Sequence, residues 1–115
     1  MMIKKFTTKK SLGQNFLVNR GVLDKIVQAA ELEQDDTVLE IGPGTGILTE
    51  KLAEKAGRVI AVEKDHRLIS VLSQQFSTNS NVEIVEDDIL KFKPTDYGLQ
   101  TTAYKIVGNI PYYLT

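Results

Sequence analysis

The sequence predicts an α/β fold built on a parallel sheet, and three observations carry that expectation. Short strand-like runs rich in Val and Ile alternate with stretches whose apolar residues recur at helical spacing. The helical stretches have the length of about 10–15 residues that βαβ crossovers need. A glycine-rich turn follows the first strand directly and opens the next helix.

The elements follow in order. Asn19 is positioned to cap a helix that places Val22, Ile26, Val27 and Ala30 on one face. Thr37-Val38-Leu39-Glu40-Ile41 is a β-branched run that ends in glycines, as a buried strand does. A second helix starts just after Gly46, with Leu48, Leu52 and Ala56 repeating every fourth residue. Arg58 to Val62 is the second strand, and Asp65 caps a helix carrying Leu68, Ile69, Leu72 and Phe76. After the polar break from Ser77 to Asn81, Val82 to Val85 forms a third strand. Asp87 to Asp96 is a mostly polar connection containing Pro94, and Tyr104 to Val107 is a fourth strand leading into Gly108-Asn109-Ile110-Pro111. Right-handed crossovers put the first strand centrally, with the second and third stacked outward on one side.

Composition narrows the class. With 115 residues the chain holds one small domain, and neither a repeat nor a linker-like tract divides it. The absence of cysteine excludes a disulfide framework, a thiolate zinc site and a thiol nucleophile. Apolar runs of a few residues fall far short of the roughly 20 that span a membrane. The basic start, Met1 to Phe6, lacks the apolar stretch of a secretory signal, so a soluble, cytoplasmic protein without a membrane is expected. Nor is a metal site expected. Charge is unevenly spread: six basic side chains stand against one acidic up to residue 25, and eight against fourteen thereafter. A basic arm on an acidic body suits a polyanion contact beside a site that prefers a cation, although a solvated tail has the same composition.

Doubly wound sheets usually carry five or more strands, whereas four are legible here, and no helix follows the fourth before Thr115. The fourth strand, which should be central in a complete sheet, would then be an exposed edge. The expectation is that residues 1–115 are one portion of a longer protein.

The turn Glu40-Ile41-Gly42-Pro43-Gly44-Thr45-Gly46 has the chemistry of a ligand cradle. Chain reversal and close approach of a nucleotide-like ligand both demand residues without a Cβ. The dinucleotide fingerprint Gly-x-Gly-x-x-Gly is not met, because the third glycine arrives one residue early and Ile47 takes its place. That favours a ligand with no pyrophosphate. Glu63 ends the second strand 21 positions after Gly42, where a carboxylate accepts hydrogen bonds from ribose hydroxyls. Asp87-Asp88 ends the third strand at the same edge, placed to accept from an exocyclic amine. Asn109-Ile110-Pro111-Tyr112 closes the fourth strand: an amide oxygen and a carbonyl can accept both N–H bonds of an amino group while a ring stacks on the base. His66, the only histidine, lies in the first turn of a surface helix and is given no role.

Taken together, Ser11-Leu12-Gly13-Gln14-Asn15-Phe16-Leu17, the glycine loop, Glu63, Asp88 and Asn109-Ile110-Pro111-Tyr112 closely resemble the ribosomal RNA adenine N6-dimethyltransferases. These are S-adenosylmethionine enzymes with a Rossmann-like methyltransferase fold. Gly13 and the Gly-Pro-Gly-Thr-Gly loop are more similar to the KsgA-like small-subunit branch than to the Erm resistance methylases. The resemblance implies that Gln14, Asn15 and Leu17 line the methionine end of the cofactor. It implies that Gly42, Gly44 and Gly46 shape the pocket, that Glu63 holds the ribose, and that Asp88 with the Ile89 backbone reads the cofactor adenine. Asn109, at the cofactor as well, would orient the target N6 with the Ile110 carbonyl, Tyr112 would stack on the flipped adenine, and Pro111 is counted with them among the catalytic residues. The family pattern usually has Gly-Asp-Ala where this chain has Asp87-Asp88-Ile89. The implied partner is small-subunit ribosomal RNA, and the implied protein is monomeric at full length. Two other readings fit parts of the pattern: a nicotinamide-dependent oxidoreductase, which shares strand, glycine turn and Glu63, and a non-enzymatic assembly factor bound to a ribosomal particle.

Overall fold

A computed structural model describes residues 20–99 and 104–108. Its elements are α1 (Arg20–Ala30), β1 (Thr37–Ile41), α2 (Ile47–Lys55), β2 (Arg58–Glu63), α3 (His66–Gln75), β3 (Val82–Glu86), a short 3-10 helix (Pro94–Tyr97) and β4 (Lys105–Gly108). The four strands form one sheet in the order β3-β2-β1-β4, all parallel. The first strand is central and the next two step outward, as right-handed crossovers require.

Alternation along the strands divides the interior into two layers. Val38, Val59 and Val107 pack with Leu23, Ile26, Val27, Leu48 and Leu52 of α1 and α2. Leu39, Ile60, Val62 and Val85 pack on the other side with Phe92 and Leu99. The connection after β3, expected to be mostly polar, therefore contributes core: Phe92 stacks on Tyr97 with ring centroids 5.0 Å apart, and both lie over the sheet. Local polarity hid two apolar anchors. α1 also sits slightly rotated from the expected face, with Leu23 buried and Val22 only half-buried. Asn19, the expected cap of that helix, lies outside the described residues.

Helix ends are fixed by identifiable groups. The Asp65 side chain accepts from the Arg67 amide and caps α3 as expected. Asn81 donates to the Ala53 and Ala56 carbonyls at the end of α2. At the end of α1, Glu31 turns left-handed at φ 49°, and Lys105 Nζ reaches from β4 to the carbonyls of Ala30 and Glu31 at 2.7 and 2.9 Å. Lys105 also pairs with Asp36 at 3.2 Å. The Glu33 amide, together with Lys105, holds the Asp36 carboxyl below its usual range. Among the described residues, no helix is long and apolar enough to cross a membrane.

Candidate functional site

β1, β2 and β3 end side by side, with Ile41 level with Val62 and Glu63 level with Glu86. The loop from Gly42 to Gly46 leaves this edge and delivers the chain into α2. Its backbone is held by the Gly42 amide on the Val62 carbonyl and the Gly46 amide on the Pro43 carbonyl, each at 2.9 Å.

The three glycines serve different ends. Gly44 has φ 59°, and among the described residues a Cβ built there meets only the Gly42 carbonyl oxygen at 3.9 Å, so none of them closes the loop on that side. Gly42 is open in the same way. Gly46, at φ 86°, is closed: a Cβ would lie 2.9 Å from both the Phe76 ring and the Gln75 amide nitrogen. Gly42 and Gly44 thus leave room for a ligand, whereas Gly46 lets the start of α2 press against the end of α3.

Glu63 is 8% exposed and is oriented by the backbone. Its Oε1 accepts from the Gly44 amide at 3.2 Å and its Oε2 from the Asp65 amide at 2.8 Å. Each carboxylate oxygen has a second lone pair, so the two oxygens present a pair of fixed acceptors suited to a vicinal diol. Asp65 binds the Arg67 guanidinium at 2.9 and 3.1 Å, which holds its carboxyl below the usual range.

At the end of β3, the Asp87 amide donates to the Glu63 carbonyl at 3.1 Å, tying the two strand ends together. Asp88 is half-buried; its Oδ1 accepts from the Leu90 amide at 3.0 Å and its Oδ2 lies 3.9 Å from Lys64. Ile89 packs under this corner against the second core layer. Gly42, Gly44, Glu63, Asp88 and Ile89 are therefore gathered at one edge of the sheet. Gln14, Asn15, Leu17, Asn109, Ile110, Pro111 and Tyr112 lie outside the described residues. His66 is 85% exposed, as a surface residue should be, yet its Nδ1 lies 2.9 Å from Glu86 Oε2.

Sequence reasoning passed over Glu40 and Thr49. Glu40 is 1% exposed and Thr49 fully buried, and the Thr49 hydroxyl donates to Glu40 Oε1. Burial pushes the Glu40 carboxyl up to about 8; the Thr49 bond opposes the rise and the Glu63 charge adds to it. The available signal was an acidic residue inside Val38-Leu39-Glu40-Ile41, a run otherwise suited to a strand covered on both faces.

The sequence matches the family profile of the ribosomal RNA adenine dimethylases over residues 5–115. The ribosomal RNA small subunit methyltransferase A of Dehalococcoides mccartyi strain 195 is 50% identical over 107 residues, which are 93% of this chain and 37% of that protein. The crystal structure of the 23S rRNA methyltransferase ErmE superposes with a TM-score of 0.75 at 39% identity, covering 84% of this chain and 38% of that one. The N-methyltransferase NodS from Bradyrhizobium japonicum WM9, in complex with S-adenosyl-L-homocysteine, superposes with a TM-score of 0.58 at 27% identity, covering 64% and 38%. The chain thus spans less than half the length of the relatives it matches, and its fold is that of the Rossmann-like methyltransferases. By sequence and by fold, the chain belongs to the ribosomal RNA adenine dimethylase family.

Proposed function

We propose that the protein transfers methyl groups from S-adenosylmethionine to the N6 amine of adenosines in small-subunit ribosomal RNA, and that residues 1–115 form the N-terminal portion of its catalytic domain. The observation that carries the reading is the Glu63 carboxylate, locked by the Gly44 and Asp65 amides beside an open glycine loop. That arrangement fits a ribose diol, and the loop departs from the dinucleotide fingerprint, with Ile47 where its third glycine would stand. A dinucleotide enzyme is disfavoured on the same ground. Kinship with a ribosomal RNA family, and NodS holding S-adenosylhomocysteine on the same fold, support the cofactor and the substrate class. Identity to small-subunit enzymes favours that branch over the Erm type.

When bound, the sulfonium cofactor supplies an electrophilic methyl group. Gln14, Asn15 and Leu17 hold its methionine end, Glu63 its ribose, and Asp88 with the Ile89 backbone its adenine. The Asn109 amide oxygen and the Ile110 carbonyl accept the N6 hydrogens, bias the amine towards a pyramidal shape and aim its lone pair. Tyr112 stacks on a base drawn from a loop, where unstacking costs least. No strong base is needed, since positioning lowers the barrier. The lysine-rich arm contacts phosphates, so RNA affinity falls as salt rises. The full-length protein acts as a cytoplasmic monomer in ribosome biogenesis.

The test is methylation of small-subunit ribosomal RNA by full-length protein, mapped by mass spectrometry, with Asn109→Ala and Tyr112→Ala as controls. Dimethyladenosine that vanishes in both variants while cofactor binding persists supports the reading. Unchanged turnover in the variants contradicts the assigned roles, and a silent wild type favours a non-enzymatic assembly factor.

A further inference from the structure

The glycine loop is anchored at both ends by secondary structure, but only one described side-chain bond joins those ends directly. Glu40 lies on β1 two residues before Gly42, and Thr49 lies in the first turn of α2 three residues after Gly46. Both are buried, and the Thr49 hydroxyl donates to Glu40 Oε1 across the base of the loop. α2 needs such a bond more than most helices, because its N-cap is Gly46, which has no side chain with which to cap it. The cap that would ordinarily fix the first turn of the helix has been given up to the close packing of Gly46 on Phe76. Gly44, whose amide orients Glu63, sits at the middle of the span that the bond encloses.

We propose that Thr49 is a positioning residue for the cofactor: acting through Glu40, its hydroxyl sets the aperture of the Gly42–Gly46 loop and hence the position of the Gly44 amide against Glu63. The role is specific to the hydroxyl. A buried acceptor that loses its donor shifts or draws in water, and either response moves the strand end relative to the helix start. This inference rests on the S-adenosylmethionine reading of the same site.

The experiment measures S-adenosylmethionine affinity by calorimetry in the full-length protein for wild type, Thr49→Val and Thr49→Ser. The valine is nearly isosteric and lacks only the hydroxyl; the serine keeps it. Thr49→Val should bind about tenfold more weakly while Thr49→Ser stays close to wild type, in keeping with the loss of one donor to a buried carboxyl. In steady-state methylation the valine variant should raise KM for the cofactor and leave KM for RNA unchanged, a split that general destabilisation does not produce. Should the valine variant not fold, Thr49→Ala against Thr49→Ser makes the same comparison. Equal affinity in the hydroxyl-bearing and hydroxyl-free variants overturns the proposal, and so does a rise in both KM values. A wild type that binds no S-adenosylmethionine is a different failure, one that removes the cofactor reading and this inference with it.

Discussion

The Gly44 amide donates to Glu63 Oε1 at 3.2 Å, joining the loop after the first strand to the end of the second. The bond aligns a glycine backbone with a side chain that the Asp65 amide already orients from the other side. Preorganisation of this sort leaves a ligand little to reorder when it arrives.

Glu63→Gln should therefore lose more than a charge. An amide has one acceptor oxygen where the carboxylate has two, so it cannot serve the Gly44 and Asp65 amides and a diol together. S-adenosylmethionine affinity in the full-length protein should fall by about 10- to 100-fold, on the scale of losing one or two bonds to a charged acceptor. Calorimetry checks this, and a fall no greater than about twofold would contradict the assigned role.

Glu40 predicts the direction of a pH effect on stability. Its carboxyl is raised from 4.5 to about 8 in the folded protein. Between those values the folded state holds a proton that the unfolded state has released, so stability falls as pH rises through the interval and levels off above it. Glu40→Gln, which stays neutral and keeps an acceptor for Thr49, should flatten this slope. Melting temperatures of wild type and variant from pH 5 to 8.5 check it, with the variant gaining about 3 °C or more relative to wild type at the alkaline end.

Gly46→Ala and Gly42→Ala should separate packing from ligand access. At Gly46 the new methyl meets Phe76 and Gln75 at 2.9 Å and sits at φ 86°, so urea unfolding should report a loss of about 1–3 kcal/mol. At Gly42, at φ 69°, the methyl meets none of the described residues. The stability cost there should be about 1 kcal/mol, with the larger effect on cofactor affinity.

Lys105→Met should weaken the fold without touching the site. Its ammonium serves the Ala30 and Glu31 carbonyls and Asp36, linking β4 to the end of α1. Removing a charged donor from these acceptors should cost about 1–3 kcal/mol in urea unfolding. S-adenosylmethionine affinity should stay within about twofold of wild type, and a larger drop would show that β4 and the loop are coupled.

Most of the framework was legible because strands and helices here obey their own periodicities. Thr37–Ile41 and the start of α2 after Gly46 fall where the pattern puts them, as does the Asp65 cap. The second layer was not legible, since Phe92 and Leu99 are isolated apolar residues in a polar stretch and only the folded sheet reveals what they cover. At the candidate site, the place of Glu63 at a strand end beside the glycine turn was legible from spacing, because both are fixed in sequence. The Glu40–Thr49 bond was missed because a contact between residues nine apart depends on how β1 and α2 cross. Gly46 looked like its two neighbouring glycines, and only its surroundings separate a packing role from a ligand-facing one.

The most direct measurement is the change in backbone amide resonances of full-length protein titrated with S-adenosylmethionine, with NADH as the competing ligand. The largest shifts are expected at Gly42, Gly44, Glu63 and Asp65 and around Asp88 and Ile89, with NADH producing none. Shifts confined to other parts of the sheet, or a response to NADH in place of S-adenosylmethionine, would contradict a methyl-donor site at these strand ends.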